Sequence, residues 1–349
     1  MKRTKKSEPS LAKQMHKRQG APVKKKKLDG NTETMISTGS TLLDLAICGK
    51  RKRGGGIPGG ILLEAFGPES SGKTVLLCEI GGSIQRKGGD ILFNDPEARL
   101  NTQFANIFDL DTDELTIENP DTVTEIFSTL REWEPKTKSK IHGIMTDSLA
   151  ALSTNLEMGD DAGDKMGMRR AKEFSEGFRK TCRMLKKENY IMACSNQIRD
   201  KASIGPGEKF TVPGGKAIAF YSSLRLRFYK PEKITEIKKV HGKEIKKVIG
   251  TKVKVEVYKS SIDSPYRTAD LYIQFNYGID DIRANIQYLK DYTSAKAYEL
   301  HGVGLGKSMN EATAFIEDEG LEKELKEAVI DLWEILDEKF NTNRKRKER

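Results

Sequence analysis

The sequence has few of the features that mark membrane, secreted or metal-binding proteins. Its 349 residues contain no stretch of about 18 consecutive apolar residues, so we expect no transmembrane helix. Residues 1–20 are basic without an apolar segment, and we therefore expect no secretory signal. No C-x-x-C pair occurs, which makes a zinc site improbable and indicates buried free thiols in a reducing cytoplasm. The only cysteines are Cys48, Cys78, Cys182 and Cys194.

Positive charge is concentrated at the two ends of the chain. Residues 1–27 contain eleven Lys or Arg and one Glu and therefore have a net charge of +10. The whole chain has the same net charge, +10. The segment NRKRKER at 343–349 is a second basic stretch. Each is either a solvated tail or an arm that binds polyanions such as nucleic acid with salt-sensitive affinity.

The order of apolar segments predicts an α/β protein. Short apolar runs such as ILLEAF, ILFND and YIMACS alternate with amphipathic segments between residues 36 and 200, which favours a mostly parallel sheet with helices on both faces. C-terminal to residue 200, three further apolar runs predict an antiparallel hairpin at one edge of the sheet, with the charged stretch 230–250 between strands. These runs are SSLRLRFY, KVKVEVYK and DLYIQFNYG. We expect a basic arm at 1–34, partly disordered, a core at 35–280, and a small α+β domain at 281–349.

Two segments have apolar residues at helical spacing. The first predicts a long helix before YIMACS with one apolar face made of Met168, Ala171, Phe178, Cys182 and Leu185. The second predicts a last helix with an apolar face made of Leu321, Leu325, Ala328, Leu332, Ile335 and Leu336.

A phosphate-binding loop is the most specific motif. GPESSGKT at 67–74 has the pattern G-x-x-x-x-G-K-T and lies between an apolar strand and an apolar helix, which is the context that the chemistry requires. Backbone N–H groups and the helix N-terminus would surround phosphates, Lys73 would reach the β- and γ-phosphates, and Thr74 would ligate Mg²⁺. The candidate residues are Gly67, Pro68, Glu69, Ser70, Ser71, Gly72, Lys73 and Thr74.

Two carboxylates follow neighbouring strands and complete a hydrolytic site. Asp147 ends the segment IHGIMTD and is the natural partner of Mg²⁺. Glu97 lies in FNDPEARL, at the carboxyl edge of the sheet, and is the candidate general base that aligns water on the γ-phosphate. Alternatively, Glu97 is a surface carboxylate at a helix start.

Five blocks in this order and spacing resemble the RecA recombinases of bacteria and phages. They are STGSTLLDLAICG, GGIPGGILLEAFGPESSGKT, TDSLAAL, SNQIR and PGGKAIAFYSS, and the segment 302–329 is similar to the small C-terminal domain of that family. The resemblance covers residues 36–335. It implies a RecA-type P-loop ATPase core, ATP and Mg²⁺ as cofactors, and a helical filament on single-stranded DNA that pairs the strand with a homologous duplex.

The resemblance also assigns roles at the nucleotide. Glu97 takes the place of the catalytic glutamate, and Phe104 stands where the family stacks an aromatic ring on adenine. Gln197 matches the glutamine that senses the γ-phosphate, and Lys259 a lysine that reaches ATP on the neighbouring subunit. Phe220 matches an aromatic residue at the protomer interface.

Two segments resemble the DNA-binding loops of the family. The long glycine- and proline-containing stretch 198–215 would be the second loop, ordered when Gln197 binds the γ-phosphate, and 157–168 would be the first. Met166 is alternatively a core residue and Arg179 a solvated one. The candidate DNA contacts are Met166, Gly167, Arg170, Lys172, Arg179, Arg199, Gly214 and Gly215.

Four departures from the family pattern stand out. Ser261 occupies the position of a second lysine that acts across the interface, and Asn101 replaces an acidic residue near adenine. SLAKQMHKRQ is shorter and more basic than the helix that docks on the next protomer in that family. The basic tail 342–349 stands where the family has an acidic one, so we expect ready binding of double-stranded DNA.

Other functions are open to the same motifs. A ring-forming helicase or clock-type ATPase would share the core, and a filament or mediator protein could bind DNA with weak hydrolysis. The chain has no N-K-x-D segment to read guanine and no arginine-rich lid, which disfavours GTP use and a simple nucleotide kinase.

Overall fold

The structure is a computed structural model that describes residues 33–154, 166–200, 210–294, 296–342 and 344. Several predicted segments lie outside these residues: the basic arm up to residue 32, most of the first predicted DNA loop, residues 201–209 of the second, and nearly all of the basic tail. In the described part of the chain, no helix has the length and apolar character needed to span a bilayer.

Strands and helices alternate through the first two hundred residues, as the sequence predicts. The strands are β1 (Met35–Ile36), β2 (Ile57–Pro58), β3 (Ile61–Gly67), β4 (Ile91–Asn94), β5 (Leu115–Glu118), β6 (His142–Thr146), β7 (Tyr190–Gln197), β8 (Arg199–Asp200), β9 (Phe210–Thr211), β10 (Leu224–Phe228), β11 (Glu232–Val240), β12 (Lys243–Ser260), β13 (Thr268–Gln274), β14 (Gly278–Ile279), β15 (Tyr298–Leu300) and β16 (Val303–Gly306). The helices are α1 (Thr41–Cys48), α2 (Lys73–Gln85), α3 (Thr102–Ile107), α4 (Val123–Glu132), α5 (Met166–Glu188), α6 (Gly215–Tyr221), α7 (Asp281–Tyr292), α8 (Met309–Asp318) and α9 (Glu322–Lys339).

One ten-stranded sheet organises the core in the order β14-β13-β12-β10-β3-β7-β6-β4-β5, with β11 paired to β12. The six strands from β10 to β5 are parallel, and β12, β13 and β14 add antiparallel pairs at one edge. Every residue of β3 is buried, as expected for a central parallel strand covered on both faces. The prediction of a mostly parallel sheet with an antiparallel edge is therefore confirmed.

The charged stretch 230–250 is itself a long hairpin rather than a separator between strands. It pairs β11 with the first part of the 18-residue strand β12. Ile237 and Ile245 are half exposed there. Lysines alternate with isoleucine, valine and threonine in this segment, and β-branched residues favour extended backbone even where both faces meet water. The high charge of this segment therefore led the sequence analysis to miss β11 and the first part of β12.

Helix α5 packs on the sheet through the apolar face that the sequence indicates. Phe178 and Leu185 are fully buried, whereas Cys182 is only partly buried. Phe174 is also fully buried and stacks against Phe178 at 5.7 Å between ring centres. The predicted inner position Met168 lies outside the described side chains. The other three cysteines are buried free thiols, as expected.

The C-terminal part of the chain has the expected mixed α+β elements: α7, the β15–β16 hairpin, α8 and α9. Its buried side chains belong to the same apolar cluster as those of α1 and β13, so it packs directly on the core. On α9, Leu325, Val329 and Ile330 are buried. Ile335, predicted to face inward, is half exposed, because the packed stripe follows Val329 and Ile330 instead. The boundary at 281 remains a prediction.

Candidate nucleotide-binding site

The phosphate-binding loop connects the end of β3 to the start of α2. Gly72 precedes α2 with a φ of 91°, and a Cβ at that position would lie 2.4 Å from Ile273 Cδ1, so only glycine fits. The backbone turns at this point so that the first N–H groups of α2 are unpaired within the helix. A helix N-terminus with free N–H groups and a glycine-rich loop is a binding site for phosphate.

Lys73 is buried at the centre of this loop. Its Nζ donates to the carbonyl oxygens of Pro68 at 2.6 Å and Gly67 at 3.3 Å, and to Ser71 Oγ at 3.4 Å. Burial lowers the pKa of Lys73, and the carboxylate of Asp147 opposes this shift. The loop thus holds an ammonium group against its own carbonyl oxygens, next to the space where phosphates would lie.

Thr74 and Asp147 meet beside Lys73. Thr74 Oγ1 donates to Asp147 Oδ2 at 2.5 Å, and Ser195 Oγ hydrogen-bonds to the other carboxylate oxygen of Asp147. A hydroxyl and a carboxylate are the hard oxygen donors that Mg²⁺ prefers. The described residues include no group of three or more His, Cys, Asp or Glu that could hold a metal.

The candidate base and the candidate sensor line one cleft with these residues. This cleft has a volume of about 460 Å³ and is lined by Lys73, Glu97, Asp147 and Gln197, which come from four different segments. Glu97 is one-fifth exposed and its Oε2 pairs with Arg99 at 2.5 Å. The structure thus brings together four residues that the sequence predicted, and adds Arg99, which it did not.

Phe104 lines both this cleft and a second, adjoining cavity. The ring lies 4.8 Å from that of Phe108, edge to face. This cavity of about 540 Å³ is lined on one side by residues 70–75 and on the other by apolar side chains that include Phe108 and Ile273. Asn101 is the N-cap of α3, since its Oδ1 accepts a hydrogen bond from the Phe104 N–H at 2.7 Å. Asn101 therefore fixes the helix that carries Phe104.

The predicted second DNA loop leaves the sheet beside this site. Gln197 ends β7, and Arg199 pairs with Thr211 in the short β8–β9 hairpin with its side chain exposed. Gly214 and Gly215 both have positive φ, 86° and 65°, at the start of α6. The loop thus begins directly after Gln197, which lines the cleft, and its far end is joined to β7 by the hydrogen bond from Asn196 Nδ2 to the carbonyl oxygen of Pro213 at 3.1 Å.

The predicted contacts on α5 have different surroundings. Met166 and Gly167 lie in its first turn, but their side-chain positions are outside the described residues. Arg170 Nη2 donates to the carbonyl oxygen of Ala150 at 2.7 Å. Arg170 therefore has a partner within the chain, and its DNA contact remains a prediction.

Two further candidates on α5 face solvent. Lys172 is exposed and lies 4.0 Å from Glu176. Arg179 is exposed as well. Both side chains are accessible to phosphate, and their contacts with DNA remain predictions.

The two predicted interface residues meet at the C-terminal end of α6: Phe220 belongs to that helix, and Lys259 reaches it from β12. Phe220 is three-quarters exposed. Lys259 Nζ donates to the carbonyl oxygens of Ala219 at 2.8 Å and Phe220 at 2.9 Å. Burial lowers the pKa of Lys259, and the nearby Arg225 lowers it further. Lys259 therefore closes the last turn of α6 in its own chain.

Sequence reasoning missed a buried polar group behind the cleft. Glu64, in the middle of the apolar run ILLEAFG, is fully buried and pairs with Arg225 at 2.6 Å. It also accepts a hydrogen bond from Asn196 at 3.1 Å. A lone glutamate in an otherwise apolar strand was the available signal, because a buried carboxylate requires partners.

A P-loop joining a parallel strand to a helix, with a glutamate after the next strand along the chain, defines a P-loop ATPase with a RecA-type core. Residues 10–280 match the family model described as the RecA N-terminal domain, and the chain therefore belongs to the RecA family. It is a DNA-dependent ATPase that functions as a recombinase in homologous recombination and repair. The resemblance in the sequence is thereby confirmed.

Curated relatives named Protein RecA match over most of their length. The protein of Clostridioides difficile (strain 630) is 32% identical over 327 residues, covering 90% of this chain and 85% of the relative. That of Delftia acidovorans is 32% identical, covering 85% and 78%. That of Wolbachia pipientis subsp. Culex pipiens is 34% identical, covering 82% and 79%.

Proposed function

We propose that the chain assembles with ATP and Mg²⁺ into a helical filament on single-stranded DNA and pairs that strand with a homologous duplex in the cytoplasm. One observation carries this proposal. The cleft that holds Lys73, Glu97 and Asp147 also contains Gln197, which directly precedes the loop with the candidate DNA contacts. Nucleotide bound in the cleft and DNA bound to the loop would therefore both contact the chain at the end of β7.

In this proposal the loop 67–74 holds the phosphates through its N–H groups and Lys73. Thr74 and Asp147 would hold Mg²⁺, which would neutralise charge on the bound phosphates. Phe104 stacks on the base at the mouth of the apolar cavity. The Lys73 ammonium exchanges its loop carbonyl partners for phosphate oxygens, which are stronger acceptors because they are charged.

Glu97 acts as the general base, and Gln197 senses the γ-phosphate. The Arg99 guanidinium holds the Glu97 carboxylate in the cleft, where it can accept a proton from water. Binding of the γ-phosphate by Gln197 changes the order of the loop, because Gln197 is the last residue of β7 and the loop begins directly after it.

DNA phosphates contact basic side chains and bare backbone at the two loops and on α5. In the second loop, the contacts come from Arg199, Gly214 and Gly215. Such phosphate contacts position a DNA strand without reading its sequence. Phe220 packs between protomers. Lys259 leaves its carbonyl partners on α6 to reach ATP bound to the neighbouring protomer. The remaining candidates on α5 are Met166, Gly167, Arg170, Lys172 and Arg179.

The variant Glu97→Gln tests the proposed base directly. Because general bases contribute about 100-fold or more, turnover should fall by at least that factor while a fluorescent ATP analogue still binds. Glu118→Gln, at an exposed position on β5, is the matched control and should keep wild-type turnover. Equal turnover in Glu97→Gln and wild type would remove Glu97 from the mechanism.

Assembly is tested by electron microscopy of the full chain with ATP and a long single strand. The proposal predicts open helical filaments. Closed rings under the same conditions would contradict it and support the alternative of a ring-forming ATPase.

A further inference from the structure

Hydroxyl groups hold both oxygens of the Asp147 carboxylate. Thr74 Oγ1, in the first turn of α2, donates to Oδ2 at 2.5 Å, and Ser195 Oγ, on β7, donates to Oδ1. Thr74 is a candidate ligand of Mg²⁺, whereas Ser195 is not among the site residues predicted from the sequence. Because each carboxylate oxygen has its own partner, rotation of the carboxylate is restricted.

The sheet register puts Ser195 beside Asp147. Strands β6 and β7 are parallel neighbours in which Thr146 is opposite Cys194, so the residues that directly follow these two lie next to each other. The N–H of Leu149, two residues after Asp147, donates to the carbonyl oxygen of Ser195 at 3.1 Å and ties the segment after β6 to β7. The hydrogen bond between the two side chains therefore joins positions that the backbone already holds together.

Ser195 is a polar residue on an otherwise apolar face of β7. It is fully buried, and Ile191 and Ala193, which precede it on the same face, belong to the apolar cluster that also contains side chains of α2. A buried hydroxyl costs free energy unless it has a hydrogen-bond partner. Its partner Asp147 is partly exposed and lines the nucleotide cleft. Ser195 is therefore the buried support of a carboxylate that is accessible from the cleft.

The hydrogen-bond partner of a carboxylate influences how well that carboxylate binds a metal ion. Groups that hydrogen-bond to a metal ligand fix its direction, and their removal typically lowers the affinity for the metal about 10- to 100-fold. Mg²⁺ is small and requires nearly octahedral geometry, whereas Ca²⁺ accepts longer bonds and irregular arrangements. A carboxylate with a fixed direction therefore favours Mg²⁺ over Ca²⁺ more strongly than one that is free to rotate.

We infer that Ser195 is a positioning residue that holds the Asp147 carboxylate in the direction needed to bind Mg²⁺ and thereby makes the site selective for Mg²⁺ over Ca²⁺. This inference rests on the proposed function, in which Thr74 and Asp147 hold Mg²⁺. Ser195 acts through Asp147 and is not itself a ligand. Without the Ser195 hydroxyl, Oδ1 loses its partner and the carboxylate is free to turn away from Thr74.

The test measures metal binding rather than turnover. Mn²⁺ also prefers octahedral oxygen ligands, and its free form is detected by electron paramagnetic resonance. It is titrated into the full chain mixed with a smaller amount of ADP, and Mg²⁺ and Ca²⁺ are then added as competitors. In Ser195→Ala, the affinity for Mg²⁺ should fall by about 10- to 100-fold and the affinity for Ca²⁺ by less. Equal losses for the two ions would overturn the inference.

Two kinds of control separate this role from a general loss of structure. Ser195→Thr keeps the hydroxyl and Ser195→Val has the shape of threonine without it, so only the valine variant should lose affinity for Mg²⁺. Ser83→Ala removes another buried serine hydroxyl, which accepts a hydrogen bond from Arg86 at 2.8 Å near the end of α2, and should keep the wild-type affinities. If the threonine and valine variants have equal affinities, or if Ser83→Ala loses as much as Ser195→Ala, the inference is wrong.

The outcomes separate this inference from the proposed function. Asp147→Asn is measured in parallel and should lower the affinity for Mg²⁺ at least as much as Ser195→Ala. If Asp147→Asn does so while Ser195→Ala keeps the wild-type affinities for both ions, the positioning role is refuted and the metal site remains. If Asp147→Asn keeps the wild-type affinity for Mg²⁺, the metal site itself is refuted, and the inference with it.

Discussion

Glu79 makes stability depend on pH in a direction opposite to that of an ordinary salt-bridged carboxylate. It lies on α2, the helix that follows the phosphate-binding loop, and burial raises its pKa from 4.5 to about 7. The Ile279 N–H, which donates to its Oε1 at 3.5 Å, and Arg86 oppose this shift, whereas Asp109 and Asp281 increase it. Burial is the larger influence, so the folded protein favours protonated Glu79.

The sign and size follow from linkage. Because the pKa is higher in the folded than in the unfolded chain, Glu79 contributes stability below its unfolded value of 4.5, and this is lost as the pH rises through about 7. Between pH 5 and pH 8 the loss amounts to about 2.5 kcal/mol. Glutamine resembles the protonated acid in shape and charge, so Glu79→Gln should not show this loss.

Thermal unfolding of wild type and Glu79→Gln at several pH values tests the argument. The two melting temperatures should differ little near pH 5, and the variant should be higher by about 3 °C near pH 8. Glu299→Gln, at an exposed position on β15, is the control and should follow wild type throughout. A difference between Glu79→Gln and wild type that stays constant with pH would refute the reasoning.

Two further substitutions test local packing and capping. Gly177→Ala would put a Cβ 2.1 Å from two ring carbons of Phe127, and the forced separation of α4 and α5 should cost about 1–3 kcal/mol in denaturant unfolding; a midpoint equal to that of wild type would contradict this packing. Asn101→Ala removes the N-cap of α3 at a cost of about 1 kcal/mol, which corresponds to about fivefold in the KM for ATP if Phe104 binds the base. Asn101→Asp keeps the cap and should stay near wild type, so equal effects of the two substitutions would argue against capping as the cause.

Sequence reasoning predicted the elements whose signals are local. The loop 67–74 has a fixed spacing, and the carboxylates Asp147 and Glu97 directly follow apolar runs, so their meeting at one edge of the sheet follows from parallel strands. The face of α5 with Phe178 follows from helical period. In each case a few neighbouring residues are enough to define the position.

Features that depend on the pairing of segments distant in the sequence could not be predicted from local sequence patterns. Arg225 lies in SSLRLRFY, where alternation alone does not say which face is buried, and only its parallel pairing with β3 puts it against Glu64. The hairpin over 230–250 has no buried face, so its strands have no apolar signal. The hydrogen bonds from Lys259 to the carbonyl oxygens of α6 could not be predicted, because only the tertiary fold brings that helix next to β12.

The central claim is that nucleotide and DNA act through Gln197 on one loop. The most direct test is ATP turnover with and without a long unstructured single strand, at about 50 mM and about 300 mM salt, for wild type and Gln197→Ala. We expect strong stimulation by the strand in wild type, weakened at the higher salt, and none in Gln197→Ala. Turnover of wild type that is indifferent to DNA, or equal stimulation of the variant, would contradict the coupling.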